Sequence, residues 1–115
     1  MRKLANRELD FLRYLGAEPT INSGATFSDA DGKIELLYPL GRYQNKRIIV
    51  EIKSTDKKSF SIRQTVLNKL LKEAREQNGL PILGIDINGS KYVLIDAAHF
   101  TDIIGDYIGD KYLYG

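Results

Sequence analysis

The spacing of apolar residues changes several times along this chain, and the order of those changes limits what it can fold into. From about Arg2 to Leu15 the apolar residues Leu4, Phe11, Leu12 and Leu15 keep helical spacing, and Gly16 can end the helix. "KIELLYPL", ending at Pro39, and "KRIIVEIK" read as strands joined by "GRYQN", which predicts a hairpin. After the polar loop "STDKKS", Ile62, Val66, Leu67, Leu70, Leu71 and Ala74 return to helical spacing from about Ser61 to Gln77. "LPILGIDI" and "SKYVLID" then flank the turn pair Asn88-Gly89. "AAHFTDIIGDYIGDKYLYG" predicts a weaker terminal helix, interrupted by Gly105 and Gly109. With a short extended piece after the first helix, the order is α, β, β, β, α, β, β, α. That order predicts an α/β fold with a mixed β-sheet flanked by α-helices.

A chain of 115 residues suits a single domain, residues 1–115, with no internal repeat or linker. No apolar run approaches the roughly 18 residues of a membrane span. The basic start lacks the continuous apolar region of a signal peptide. With no cysteine, disulfides and thiolate metal sites are excluded.

The formal net charge is only +2, but it is unevenly spread. Between Arg42 and Lys72 nine basic residues face two acidic ones, Glu51 and Asp56, so the excess of acid lies elsewhere in the chain. A basic centre in a near-neutral protein fits a surface that meets a polyanion, although solvated lysines on an ordinary face give the same count.

Within "RIIVEIKST" the alternation of a strand places Glu51 and Lys53 on one face, with Ile48, Val50 and Ile52 on the other. A salt bridge or a solvent-facing pair would explain this. The loop before the first hairpin strand carries Asp29 and Asp31, and entry into that strand could bring one of them near Glu51. Two carboxylates with the backbone carbonyl of Ile52 make a hard oxygen site suited to Mg²⁺. Such an ion activates water and stabilises charge on a phosphate. Lys53 beside it could orient or deprotonate that water, or stabilise the developing negative charge. Glu8 falls within the apolar stripe of the first helix, so its carboxylate should point towards the protein and needs a partner there.

The stretches "NRELDFLRYLGAEPTINSGAT", "VEIKST" and "SFSIRQTVLNKLLKEAREQNGLPILGID" together resemble the PD-(D/E)XK nucleases, whose fold is restriction-endonuclease-like. The match is most similar to Holliday junction resolvases of the archaeal type and their phage relatives, and covers roughly residues 5 to 96. Glu-x-Lys alone is unspecific; the order of helix, Ser-Gly-Ala, acid, Glu-x-Lys and helix is more so. The resemblance implies that Glu51 is a metal-binding acid and Lys53 the catalytic lysine. It also implies that Glu8 helps build the metal site and that Ser23 lies near the scissile phosphate. The family places Pro-Asp or Gly-Asp before the first hairpin strand, where this chain has "SDADGKIEL". Asp31 is chosen as the ligand for its nearness to the strand, with Asp29 as the alternative and Glu35 third.

Gln64 matches a polar residue that faces the site from the second helix, and equally completes a capping box with Ser61. Lys57, Lys58 and Arg63 fit phosphate contacts, or plain surface. His99, the only histidine, reads as a surface or packing residue. Tyr107, Tyr112 and Tyr114 join the apolar residues of the tail, which could cover the core or form a dimer surface.

The resemblance thus implies an Mg²⁺-dependent endodeoxyribonuclease, with Mn²⁺ as the other candidate metal. It would resolve four-way DNA junctions in recombination as a homodimer with branched DNA as partner. It further implies a cytoplasmic location, that of a host cell if the chain is phage-encoded. A nicking or restriction-type nuclease is the alternative within the fold. A non-catalytic nucleic-acid-binding module is the alternative outside catalysis, and a generic interaction domain is the blandest reading.

Overall fold

The computed structural model describes residues 6–20, 30–42 and 44–108. Its elements run α1 (Asn6–Leu15), β1 (Glu18–Pro19), β2 (Gly32–Leu40), β3 (Asn45–Thr55), α2 (Gln64–Glu76), β4 (Leu80–Ile87), β5 (Ser90–Leu94) and α3 (Ala97–Ile108). The mixed sheet flanked by helices expected from the spacing is the fold. Five strands lie in the order β1-β2-β3-β4-β5. β2 and β3 form an antiparallel hairpin, β3 and β4 are parallel, and β4 and β5 are antiparallel. The single parallel pair follows from the chain's own order. The segment between β3 and β4 is long enough to form a helix, and a parallel neighbour requires such a crossover.

The sheet separates two apolar layers. Ile49, Leu83 and Ile85 face α2 and pack with Leu70, Ala74 and Phe60. Val50 and Ile52 face α1 and pack with Phe11, Leu12 and Ala17. Because β3 is covered on both faces, its run of branched residues is needed in full rather than at alternate positions. Gly84, opposite Ile52, lets the α1 layer close down: a Cβ there would lie 2.6 Å from Ile52 Cδ1.

Three details differ from the sequence reading. α2 starts at Gln64 rather than near Ser61, and its N-cap, Arg63, makes no side-chain capping bond. The capping box therefore does not form; Gln64 instead donates from Nε2 to Asn68 Oδ1 at 2.9 Å. Gly105 does not interrupt α3, which runs through it to Ile108. Its lack of a side chain accommodates the Arg42 guanidinium, whose Nε would lie 2.5 Å from a Cβ. Arg42 sits in the β2–β3 turn, and its backbone N–H donates to the Asp102 carbonyl at 3.3 Å, so α3 braces that turn. The Asn88-Gly89 turn forms as expected, with φ of 50° and 95°.

His99 is half-buried at the start of α3. Its backbone N–H donates to Asp96 Oδ2 at 3.2 Å and its Nδ1 lies 2.5 Å from Asp96 Oδ1, so Asp96 caps the helix and His99 packs against the cap. Gly109, Tyr112 and Tyr114 lie outside the described residues.

Candidate active site

The strand register sorts the candidate residues by face. Residues 49, 51 and 53 of β3 look towards α2, and residues 50, 52 and 54 towards α1. Gly32 pairs with Val50, so Asp31, which directly precedes it, stands at the entry to β2 beside the middle of β3. The Asp31 carboxylate meets β3 at the peptide that joins Glu51 to Ile52. Asp31 is held there twice. Its Oδ2 accepts the Ile52 N–H at 2.7 Å, and its carbonyl accepts the Thr20 N–H at 2.9 Å.

Asp31 is 1% exposed and Glu51 7%. Lys53 Nζ lies 3.7 Å from Glu51 Oε2, with the lysine side chain 37% exposed. Lys53 thus offers a part-exposed cation beside a buried carboxylate. The N–H and C=O of one strand residue project to the same side of the strand. The Ile52 carbonyl therefore faces the side on which Asp31 binds the Ile52 N–H. Two carboxylates and this carbonyl form a hard, all-oxygen donor set that fits a small divalent cation. Among the described residues no group of three or more His, Asp or Glu side chains is placed to hold an ion.

Glu8 lies elsewhere. It is half-buried on α1, and its Oε1 accepts a long hydrogen bond of 3.5 Å from Ser54 Oγ. α1 packs on the face opposite to that of Asp31, Glu51 and Lys53, so Glu8 meets the end of β3 from behind. Ser23 and Asp29 lie outside the described residues. Lys57, Lys58, Arg63 and Gln64 are all exposed, on the loop after β3 and at the start of α2. Lys57, Lys58 and Arg63 form no ion pair among the described residues. Glu35 is drawn into a surface ladder with Lys33 and Arg47, at 3.5 Å from each, away from the acidic pair.

Arg7 belongs to the same end of the sheet, and nothing local in the sequence announces it. It donates to the Thr55 carbonyl at 3.0 Å, to Asp86 at 2.6 Å and to Asp56. Its three partners come from the end of β3, the loop after it and β4. Asp86 is 1% exposed. The Arg7 guanidinium holds its carboxyl below the usual carboxylate range against the cost of burial, with help from the Gly89 N–H and Lys91. The same contacts hold Arg7 protonated. This clamp fixes the strand end two residues beyond Lys53.

The chain shares its fold with a solved nuclease. Hjc, a Holliday junction resolvase from the archaeal hyperthermophile Archaeoglobus fulgidus, superposes with a TM-score of 0.59. The identity is 14%, over 79% of this chain and 74% of Hjc. No family model matches the chain, and no curated protein matches it. Hjc is archaeal, so it gives no support to the phage setting expected from the sequence. No described helix is long and apolar enough to cross a membrane.

Proposed function

We propose that this chain is a metal-dependent endonuclease that hydrolyses phosphodiesters of branched DNA, with four-way junctions as its substrate. One observation carries the reading: the buried Asp31 carboxylate accepts from the N–H of the Glu51–Ile52 peptide, and Lys53 Nζ stands 3.7 Å from the buried Glu51. The shared fold with a junction resolvase supports the substrate class.

Asp31, Glu51 and the Ile52 carbonyl would hold Mg²⁺ or Mn²⁺. When bound, the ion supplies an activated water and a counter-charge for the phosphate. The chain's own residues do the rest. Asp31 is oriented by the Ile52 N–H, which holds its carboxylate against β3 next to Glu51 in the chain. The Lys53 ammonium is placed to bind a phosphate oxygen and stabilise the charge that develops there. It can equally orient the attacking water. Glu8, through Ser54, supports the strand that carries these groups. Lys57, Lys58 and Arg63 attract the backbone without reading sequence. A homodimer would place two such sites on one junction, as paired cuts require, and a cytoplasmic setting gives access to DNA.

The test is cleavage of a labelled four-way junction beside linear duplex and single strands, with Mg²⁺, Mn²⁺ or EDTA. Paired symmetric nicks on the junction alone, lost in EDTA, support the full reading. Cutting of every substrate would keep a nuclease of nicking or restriction type and remove junction selectivity. Binding without cutting in either metal would make the chain a non-catalytic DNA-binding module.

A further inference from the structure

Pairing across three strands places an aromatic residue on the face of the candidate site. Lys53 pairs with Ile85, and Ile85 pairs with Tyr92. Paired residues in a sheet share a face, so Tyr92 projects on the same side as Lys53 and Glu51. It stands two strand spacings from Lys53, about 9.5 Å between backbones. Its immediate neighbours lie on the opposite face: Lys91, whose Nζ is 5.9 Å from the centre of the Phe11 ring, and Val93, which is exposed there; Leu94, next on the face of Tyr92, packs against the α2-side core. Tyr92 alone of the row Lys53–Ile85–Tyr92 presents a ring to solvent, at 58% exposure. β5 is the last strand of the sheet, so no further strand screens that ring among the described residues.

We propose that Tyr92 is a stacking platform for an unpaired or splayed DNA base whose phosphate is held at Lys53. The inference rests on the proposed nuclease reading and adds to it the state of the base next to the cut. Three observations converge on a nucleotide. The cation on that row suits a phosphate, and the exposed ring suits a base. Their separation suits the two ends of one nucleotide. The loop carrying Lys57, Lys58 and Arg63 borders the same face, because Phe60, within it, is anchored in the α2-side core. An aromatic face accepts any base, so the contact would favour opened structure over sequence. A paired duplex keeps its bases stacked on one another and offers the ring nothing. Tyr92 would thereby help to distinguish branched or single-stranded DNA from intact duplex.

The experiment uses the full chain and a four-way junction with 2-aminopurine at the branch, beside a linear duplex of the same sequence. Tyr92→Phe should retain affinity and the change in 2-aminopurine fluorescence on binding. Tyr92→Thr, which keeps strand propensity, should weaken junction binding about tenfold and abolish that change. Duplex binding should be the same in all three proteins. In cleavage, Tyr92→Thr should raise KM and leave kcat in place. Equal junction affinity and an unaltered fluorescence change in Tyr92→Thr would overturn the inference, as would an equal loss on duplex. The two readings fail separately. A wild-type chain that gives the fluorescence change but cuts nothing in Mg²⁺ or Mn²⁺ would remove the nuclease and keep the platform. A chain that cuts junctions equally well with Thr at position 92 would do the reverse.

Discussion

The Arg7 guanidinium and the Asp86 carboxylate meet at 2.6 Å, joining the first turn of α1 to β4 across the end of the sheet. The pair couples the stability of that end to pH. Asp86 titrates lower when folded than when unfolded, chiefly because Arg7 donates to it. Its contribution is therefore complete above about pH 4, the unfolded carboxylate value, and is lost as pH falls through the lower folded value. Asp86→Asn should lower the melting temperature at pH 7. The difference from wild type should shrink below about pH 4, and thermal melts from pH 7 to pH 2 would follow it. A difference that stays constant down to pH 2 would show that the charge of Asp86 is not what matters.

Removal of either charged partner on β3 should separate chemistry from folding. Glu51→Gln keeps the shape of a buried side chain, and Lys53→Ala truncates a part-exposed one. Each should reduce metal-dependent cleavage by about a hundredfold or more, while far-ultraviolet circular dichroism stays unchanged. Cleavage at the wild-type rate by Lys53→Ala would remove this row from the mechanism.

The order of the elements was legible in the spacing because each segment changes period at its ends. The pairing of Glu51 with Lys53 followed from strand alternation alone. Which acid serves beside Glu51 was not legible in the sequence; the fold brings the Asp31 carboxylate to the Ile52 N–H, and Asp29 lies outside the described residues. Arg7 was not legible, since its partners Thr55, Asp56 and Asp86 are distant in sequence and only the closed fold brings them together. The inward direction of Glu8 was legible in helical spacing, but its partner Ser54 was not. Spacing shows that a residue points inward, but not which side of the sheet the helix occupies. Gly105 looked like a helix stop because its other cause, the approach of Arg42 from the β2–β3 turn, is a tertiary contact.

The layer behind the site depends on Gly84. Its Cβ would lie 2.6 Å from Ile52 Cδ1 and 3.1 Å from the Phe11 ring, all within a closed core. Gly84→Ala should destabilise the protein by about 1–3 kcal/mol through overpacking. It should also displace Ile52, the residue that orients Asp31. Urea denaturation would give the first number, and cleavage under conditions where the variant is fully folded would give the second effect. An unchanged midpoint would mean that the α1 layer is looser than its geometry indicates.

The exposed loop cations should act on affinity through salt. Lys57→Ala and Lys58→Ala should each weaken binding to junction and duplex alike, and lower the slope of log K against log salt by about one. Binding at several salt concentrations measures this directly. A loss confined to one DNA sequence would point to base contacts instead.

The parallel pairing of β3 with β4 has a consequence for synthesis. The hairpin that brings Asp31, Glu51 and Lys53 together is local in sequence and is translated before α2 and β4. The layer behind it closes only when β4 arrives, after the whole of α2. Long-range parallel pairing is the slow part of such a topology. A nascent chain would thus bear Asp31, Glu51 and Lys53 before β4 gives their strand its second neighbour, and their geometry would become fixed only after α2 and β4 have been made.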